Sequence, residues 1–276
     1  MAELYPFPDE FSPVGSGVFY SIRFAPPEQH SALSLANAFY LTLRNIPLTC
    51  RDPAVAGEKL NWWRQEIARS EKFQAQHPLA KAMSELHQQL AIPQHFFEPL
   101  CAATAHEIGS VTLQSDDDLE SHCRATGALL ADLYALIGGA DAVQRESAQE
   151  LGCYIRYAEI IRDLGADLRL NRCFIPANRL HRHGISAAEL LHCKDETQLN
   201  RVLSELFREQ QQRYLKARSE IRKRSALGPV LSLAAMAETL LRRLDSEGYQ
   251  RLLRQRTNLT PLQKLWISWR LQRRQR

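Results

Sequence analysis

The sequence has no long apolar run. Nothing in its 276 residues approaches the roughly 18–20 uninterrupted apolar residues of a membrane-crossing helix. The stretch from Met1 to Pro13 is acidic and proline-bearing, where an export signal would be basic and then apolar. The expectation is a cytoplasmic protein, or one lying peripherally on the inner face of a membrane. The six cysteines, at positions 50, 101, 123, 153, 173 and 193, form no C-x-x-C pair and no Cys/His cluster with zinc spacing, and read as reduced packing residues. Phosphate loops are missing as well: Gly15-Ser16-Gly17 lacks the lysine of a P-loop and the third glycine of a dinucleotide fingerprint, and reads as a turn. With no G-x-S-x-G elbow and no H-E-x-x-H, serine-hydrolase and zinc-protease chemistry have no carriers. His181, His183 and His192 fall near a turn without metal-ligand neighbours, and read as surface residues.

What is present is helical periodicity. At 45% apolar and 24% charged residues, the chain can bury one sizeable core. Residues 31–43, 57–70, 78–90, 117–136, 145–164, 197–223 and 229–244 each place apolar side chains at three- and four-residue steps, which predicts helices with one buried face. Breakers such as Gly138-Gly139 and Gly228-Pro229 separate them. Only Cys173 to Ile175, before Pro176, looks extended. The expected fold class is all-α, a single helical domain over residues 14–256, with an N-terminal extension at 1–13 and a basic amphipathic helix at 257–276.

The most chemical stretch runs from Glu159 to Asp167. Asp163 and Asp167 are four residues apart, with Glu159 one turn earlier, so the three carboxylates share one helix face. Oxygen ligands crowded in this way suit a hard divalent cation. The same face could equally be a solvated surface neutralised by Arg156, Arg162 and Arg169.

Read through to Pro176, Arg162-Asp163-Leu164-Gly165-Ala166-Asp167 followed by Asn171-Arg172-Cys173-Phe174-Ile175-Pro176 resembles the second aspartate-rich motif of the squalene/phytoene synthase family, R-D-x-G-x-D and then G-R-x-x-x-P. Phe19-Tyr20, Pro26-Pro27 and the run from Ala32 to Phe39 are similar to its opening segment. Trp63-Arg64-Gln65-Glu66 resembles its W-R-x-E helix, and the stretch from Leu119 to Gly127 its central helix. The resemblance implies a helical prenyl synthase fold with a central cavity. In active members, two aspartate-rich motifs face each other there and hold Mg²⁺ against prenyl diphosphates for head-to-head condensation. The metal is needed because a diphosphate leaving group must be neutralised before its carbon–oxygen bond ionises. By the same resemblance, Asp163, Asp167 and Glu159 are the candidate metal ligands, and Tyr20, Arg156, Arg162 and Arg172 the candidate diphosphate contacts.

The departures from the family fall on the metal site. Alignment of the opening helix puts the acids of the first motif at Arg44, Asn45 and Leu48, none of them acidic, with Pro47 in the same turn. The second motif has Arg156 and Glu159 where glutamine and asparagine are usual, and the tyrosine of the central helix is His122. Mg²⁺ is thus the family's cofactor but a poor match to these residues, and the expected partner is a prenyl diphosphate or other isoprenoid lipid, with head-to-head transfer in question. A further expectation is that Arg44 replaces the metal by bridging Asp163 and Asp167. The alternative is a non-catalytic assembly or binding protein for a membrane-associated respiratory complex. The departures and the His183-Gly184-Ile185-Ser186 segment are similar to those of the complex I assembly factor branch.

The net charge of +4 is unevenly placed: residues 251–276 carry eight basic residues and no acidic one. Pro261, Leu262, Leu265, Trp266, Trp269 and Leu271 predict a short helix with a tryptophan-bearing stripe. Either it lies on an anionic membrane surface or it docks on the body as a final helix. No recognised module accompanies the charge, so nucleic acid is not expected as a partner.

Overall fold

The computed structural model describes residues 4–190, 196–221, 224–249 and 251–273. Cys193 and His192 lie outside them. Among the described residues the helices are α1 (Gly17–Arg23), α2 (His30–Arg44), α3 (Ile46–Thr49), α4 (Pro53–Ser70), α5 (Pro78–Leu90), α6 (Glu98–His106), α7 (Asp116–Cys123) and α8 (Leu129–Ile137). They continue with α9 (Ala142–Leu168), α10 (Ala177–Arg182), α11 (Ala187–Leu190), α12 (Glu196–Glu220), α13 (Gly228–Ser246) and α14 (Pro261–Arg273). None is long and apolar enough to cross a membrane.

Side chains at the helix starts fix several boundaries. Asp52 accepts from the Ala54 amide and Pro53 opens α4, while Ser115 and Asp118 form a reciprocal capping box at α7. Glu66, from the W-R-x-E stretch, is fully buried on α4. It accepts the Gln76 and His77 amides at 2.8 Å each, pinning the turn that launches α5.

The 27-residue helix α9 runs through the middle of the molecule, flanked by α8, α12 and α13. The expected helix 117–136 is not continuous: a π-helical turn, Arg124–Ala128, joins α7 to α8. This turn packs on α9 through glycine. A Cβ on either Gly127 or Gly152 would come within 2.3 Å of the other's carbonyl oxygen, so only glycine permits this approach.

The extended stretch is also shifted from the sequence reading. It comprises β2 (Arg172–Cys173), which pairs in parallel with β1 (Val111–Thr112), a partner that sequence periodicity does not show. Asn171 precedes β2 with φ of 56°, a left-handed conformation that asparagine tolerates, at the position where the family pattern has glycine.

On the opposite side, residues 4–13 lie along α2. Ser31 donates to the Tyr5 carbonyl at 2.8 Å, Ser34 to Pro6 at 2.8 Å and Asn37 to Phe11 at 3.1 Å. The five described cysteines are free, and all but Cys50 are buried.

Candidate functional site

Helix α2 ends at Arg44 because Asn45 caps it and Pro47 restarts the chain as α3. Leu48 then points outward, 52% exposed. Arg44 points inward and is only 7% exposed. Its guanidinium meets Glu107, the C-cap residue of α6, whose own exposure is 1%. Arg172 reaches the second oxygen of the same carboxylate from β2, so Glu107 is shared by two buried cations. The expectation that Arg44 bridges Asp163 and Asp167 is therefore corrected: its ion-pair partner is Glu107. Burial first, and then the neighbouring Arg156, lower the Arg44 pKa to about 10, which still leaves it charged at neutral pH.

Above this pair lies a second layer. Phe174, just past β2, carries the Arg156 and Arg172 guanidiniums over its ring at 5.6 and 5.3 Å and packs against His122 at 4.9 Å. Arg156 of α9 donates to His122 Nε2 at 3.3 to 3.4 Å. A guanidinium can only donate, so Nε2 must be the unprotonated nitrogen and the ring neutral. Burial, with Arg156, Arg44 and Arg172 close by, holds the His122 pKa well below the usual histidine value. The 3.7 Å approach of His122 to Glu107 is accordingly not an ion pair.

The acidic face of α9 is engaged residue by residue. Arg162 donates to both oxygens of Asp163, at 3.0 and 2.7 Å, and Arg256 adds a third bond at 3.1 Å. Glu159 accepts from Arg156 at 3.2 Å, and Asp167 lies 3.5 Å from Arg172. Two neighbouring aspartates thus shift oppositely. Burial raises Asp167, and the nearby guanidiniums only partly offset it. Burial acts on Asp163 too, but Arg162 and Arg256 outweigh it and lower its pKa. Among the described residues, no three His, Cys, Asp or Glu side chains converge closely enough to hold a metal ion.

Residues 12–263 fit the squalene/phytoene synthase family model. The chain belongs to the squalene/phytoene synthase family. Its sequence is 25% identical over 148 residues to a phytoene synthase of Thermus thermophilus, a match covering 51% of this chain and about half (51%) of that protein's length. Against a presqualene diphosphate synthase of Zymomonas mobilis it is 23% identical over 267 residues, covering 93% of this chain and 89% of the other. The crystal structure of a dehydrosqualene synthase in complex with ligand shares the fold, with a TM-score of 0.81 at 15% identity, covering 94% of this chain and 91% of that one.

Within this family frame the residues singled out from sequence separate into groups. Arg44, Arg156 and Arg172 converge on the buried cluster with Glu107, while Glu159, Asp163 and Arg162 lie further along the accessible face of α9. Tyr20, on α1, packs edge-on against Phe19 at 5.1 Å, and among the described residues no hydrogen bond or ion pair joins it to the cluster. Asn45 only caps α2. Glu107 was invisible to sequence reasoning, since it belongs to no motif and finds its partners 63 residues upstream and 65 downstream. A pocket of about 120 Å³ opens between α9, α13 and α14, with Glu159, Arg162, Leu233, Met236, Leu240 and Lys264 among its lining residues. Burial, together with Arg162 and Arg256, lowers the Lys264 pKa, which marks a crowding of positive charge there.

Proposed function

We propose that this chain is a non-condensing member of the family, which binds a prenyl diphosphate or closely related isoprenoid without Mg²⁺. The carrying observation is that Arg162 and Arg256 both pair with Asp163, and that Arg162 and Lys264 also line a largely apolar pocket beside it. That combination suits a polyanionic head group on a hydrocarbon chain: guanidiniums bind phosphate oxygens in pairs, and the lining of Leu233, Met236 and Leu240 accepts the first isoprene units. At about 120 Å³ the pocket is smaller than the roughly 300–1,000 Å³ of ordinary ligand sites, so a full chain requires α14 to shift.

The residues present do not fit the family's metal cluster. A Mg²⁺ site needs near-octahedral oxygen ligands free of competing cations, whereas Asp163 is shared by two guanidiniums and Glu159 is held by Arg156. On the facing wall Arg44 stands where an acid would be required, and Glu107 is consumed by it. Head-to-head condensation therefore lacks the charge neutralisation that would release diphosphate.

Calorimetric titration with farnesyl diphosphate tests this reading. Binding of equal affinity in EDTA and in Mg²⁺, weakened by Lys264→Gln, is the expected result. Mg²⁺-dependent squalene-type product overturns it. A second reading, an assembly protein for a membrane-associated respiratory complex, draws support from Arg44, Asn45 and Leu48 standing where the acids of the first motif would be. Absence of binding in both conditions would favour that reading.

A further inference from the structure

Helix α14 has a mixed polar and apolar face that the body of the protein covers, and an apolar face that it leaves open. Lys264, Ile267, Ser268 and Leu271 recur at helical spacing and turn inward. Ile267 and Ser268 are buried, with the Ser268 hydroxyl 2.5 Å from that of Ser232 on α13. Lys264 donates to the Gly15 carbonyl and Gln272 to the Phe24 carbonyl, each at 3.2 Å, so α14 is anchored towards both ends. Leu262, Leu265, Trp266 and Trp269 follow the same spacing two residues out of phase and face solvent. Leu262 is 76%, Trp266 54% and Trp269 42% exposed. The stripe expected from sequence is thus divided: Leu271 turns inward, and the other four side chains are left uncovered.

Two further observations say what could cover them. Arg270 stacks over Trp266 at 5.0 Å and Arg273 over Trp269 at 4.7 Å, so the cations border the apolar ridge on its own face. No acidic residue occurs between Arg251 and Arg273, and Arg251, Arg254 and Arg256 are all exposed. Val14, itself exposed, adjoins Gly15, which lies against Pro261 at the start of the helix and extends the patch.

We infer that this face of α14 docks the protein on an anionic phospholipid surface, its leucines and tryptophans entering the headgroup boundary and its arginines pairing with lipid phosphates. A ridge on one 13-residue helix presents far less than the roughly 20–30 residues a side of a standard protein interface. It suffices for interfacial binding, where tryptophan is favoured and charge of one sign adds attraction. The inference is independent of what the interior binds.

Cosedimentation of the full chain with phosphatidylcholine vesicles, with and without phosphatidylglycerol, tests it. The chain is expected to bind the mixed vesicles, to bind neutral ones much more weakly, and to be released by high salt. Arg270→Gln with Arg273→Gln should weaken binding to mixed vesicles about 25-fold, at about fivefold per arginine. Trp266→Ser with Trp269→Ser should weaken it at least about tenfold. Both pairs are exposed, and an unchanged melting temperature confirms that they fold. No vesicle binding, binding indifferent to lipid charge, or tryptophan variants that bind like the parent would each overturn the inference. So would a concentration-dependent dimer, seen by sedimentation velocity and abolished by the tryptophan changes, which would assign the face to a second copy.

Discussion

Glu107→Met should be more damaging than Arg44→Met, although the two residues form one ion pair. Glu107 is the shared anion of two guanidiniums, and both lie in the interior with it. Removing a partner from a buried pair costs about 3–5 kcal/mol, chiefly because the remaining charge is left uncompensated. Loss of Glu107 leaves Arg44 only Tyr40 and the more distant charge of Glu159, and leaves Arg172 only its 3.5 Å contact with Asp167, so its cost belongs at the upper end of that range. Loss of Arg44 leaves Glu107 still held by Arg172, and the cost falls to about 1.5–3 kcal/mol, that of one charged hydrogen bond. At about 2–4 °C per kcal/mol, Glu107→Met should lower the melting temperature by on the order of 10 °C, and Arg44→Met by roughly half as much. The double variant should cost less than the sum of the single ones. Calorimetric melting at neutral pH in EDTA reads all three. Equal costs, or costs below about 1 kcal/mol as for an exposed pair, would refute the account of a buried shared anion.

The remaining predictions concern pH. Asp163 is lowered in the folded protein, so its stabilisation is present above its ordinary value of 3.8 and is lost as pH falls through the folded value; Asp163→Asn should destabilise at neutral pH and cost little in strong acid. Asp167 is raised, which reverses the sign: its contribution is present below 3.8 and is lost as pH rises through the folded value, so Asp167→Asn should be better tolerated at neutral pH than in acid. His122, depressed below 6.5, favours the folded state above that pH and loses this stabilisation as pH falls, so urea titrations of His122→Gln should show a shallower loss than the parent below pH 6.5. If the two aspartate variants share one pH profile, the opposed environments assigned to them are wrong.

The longer helices were legible in sequence to within a few residues because each has a one-sided apolar period, whereas the short α1, α3, α10 and α11 were not. The span predicted as 78–90 coincides with α5, and 229–244 falls just inside α13. The break between α7 and α8 was not legible, since a π-turn adds a single residue to a helical turn without a local sequence signal; it lies where Gly127 meets Gly152 across two helices. The short helix α6 was also missed: its apolar residues are mostly small, without a clear period. At the site, Arg44 could be placed opposite α9 by family alignment, but its partner could not, because nothing in the spacing around Glu107 marks it as buried or as an ion-pair partner. The same limit applied to α14, where the two interleaved faces look like one stripe until Ile267 and Ser268 are seen to be the ones covered.

The central claim is that guanidiniums occupy the role of the family's metal ions along α9 and opposite it. Titration of the protein with Mn²⁺, a paramagnetic substitute for Mg²⁺, tests this most directly when the free aqueous ion is followed by electron paramagnetic resonance. The account predicts that the protein leaves the free-ion signal undiminished, because the carboxylates of Asp163, Glu159 and Glu107 are already engaged by arginines. Stoichiometric loss of that signal, restored by Asp163→Asn, would contradict it.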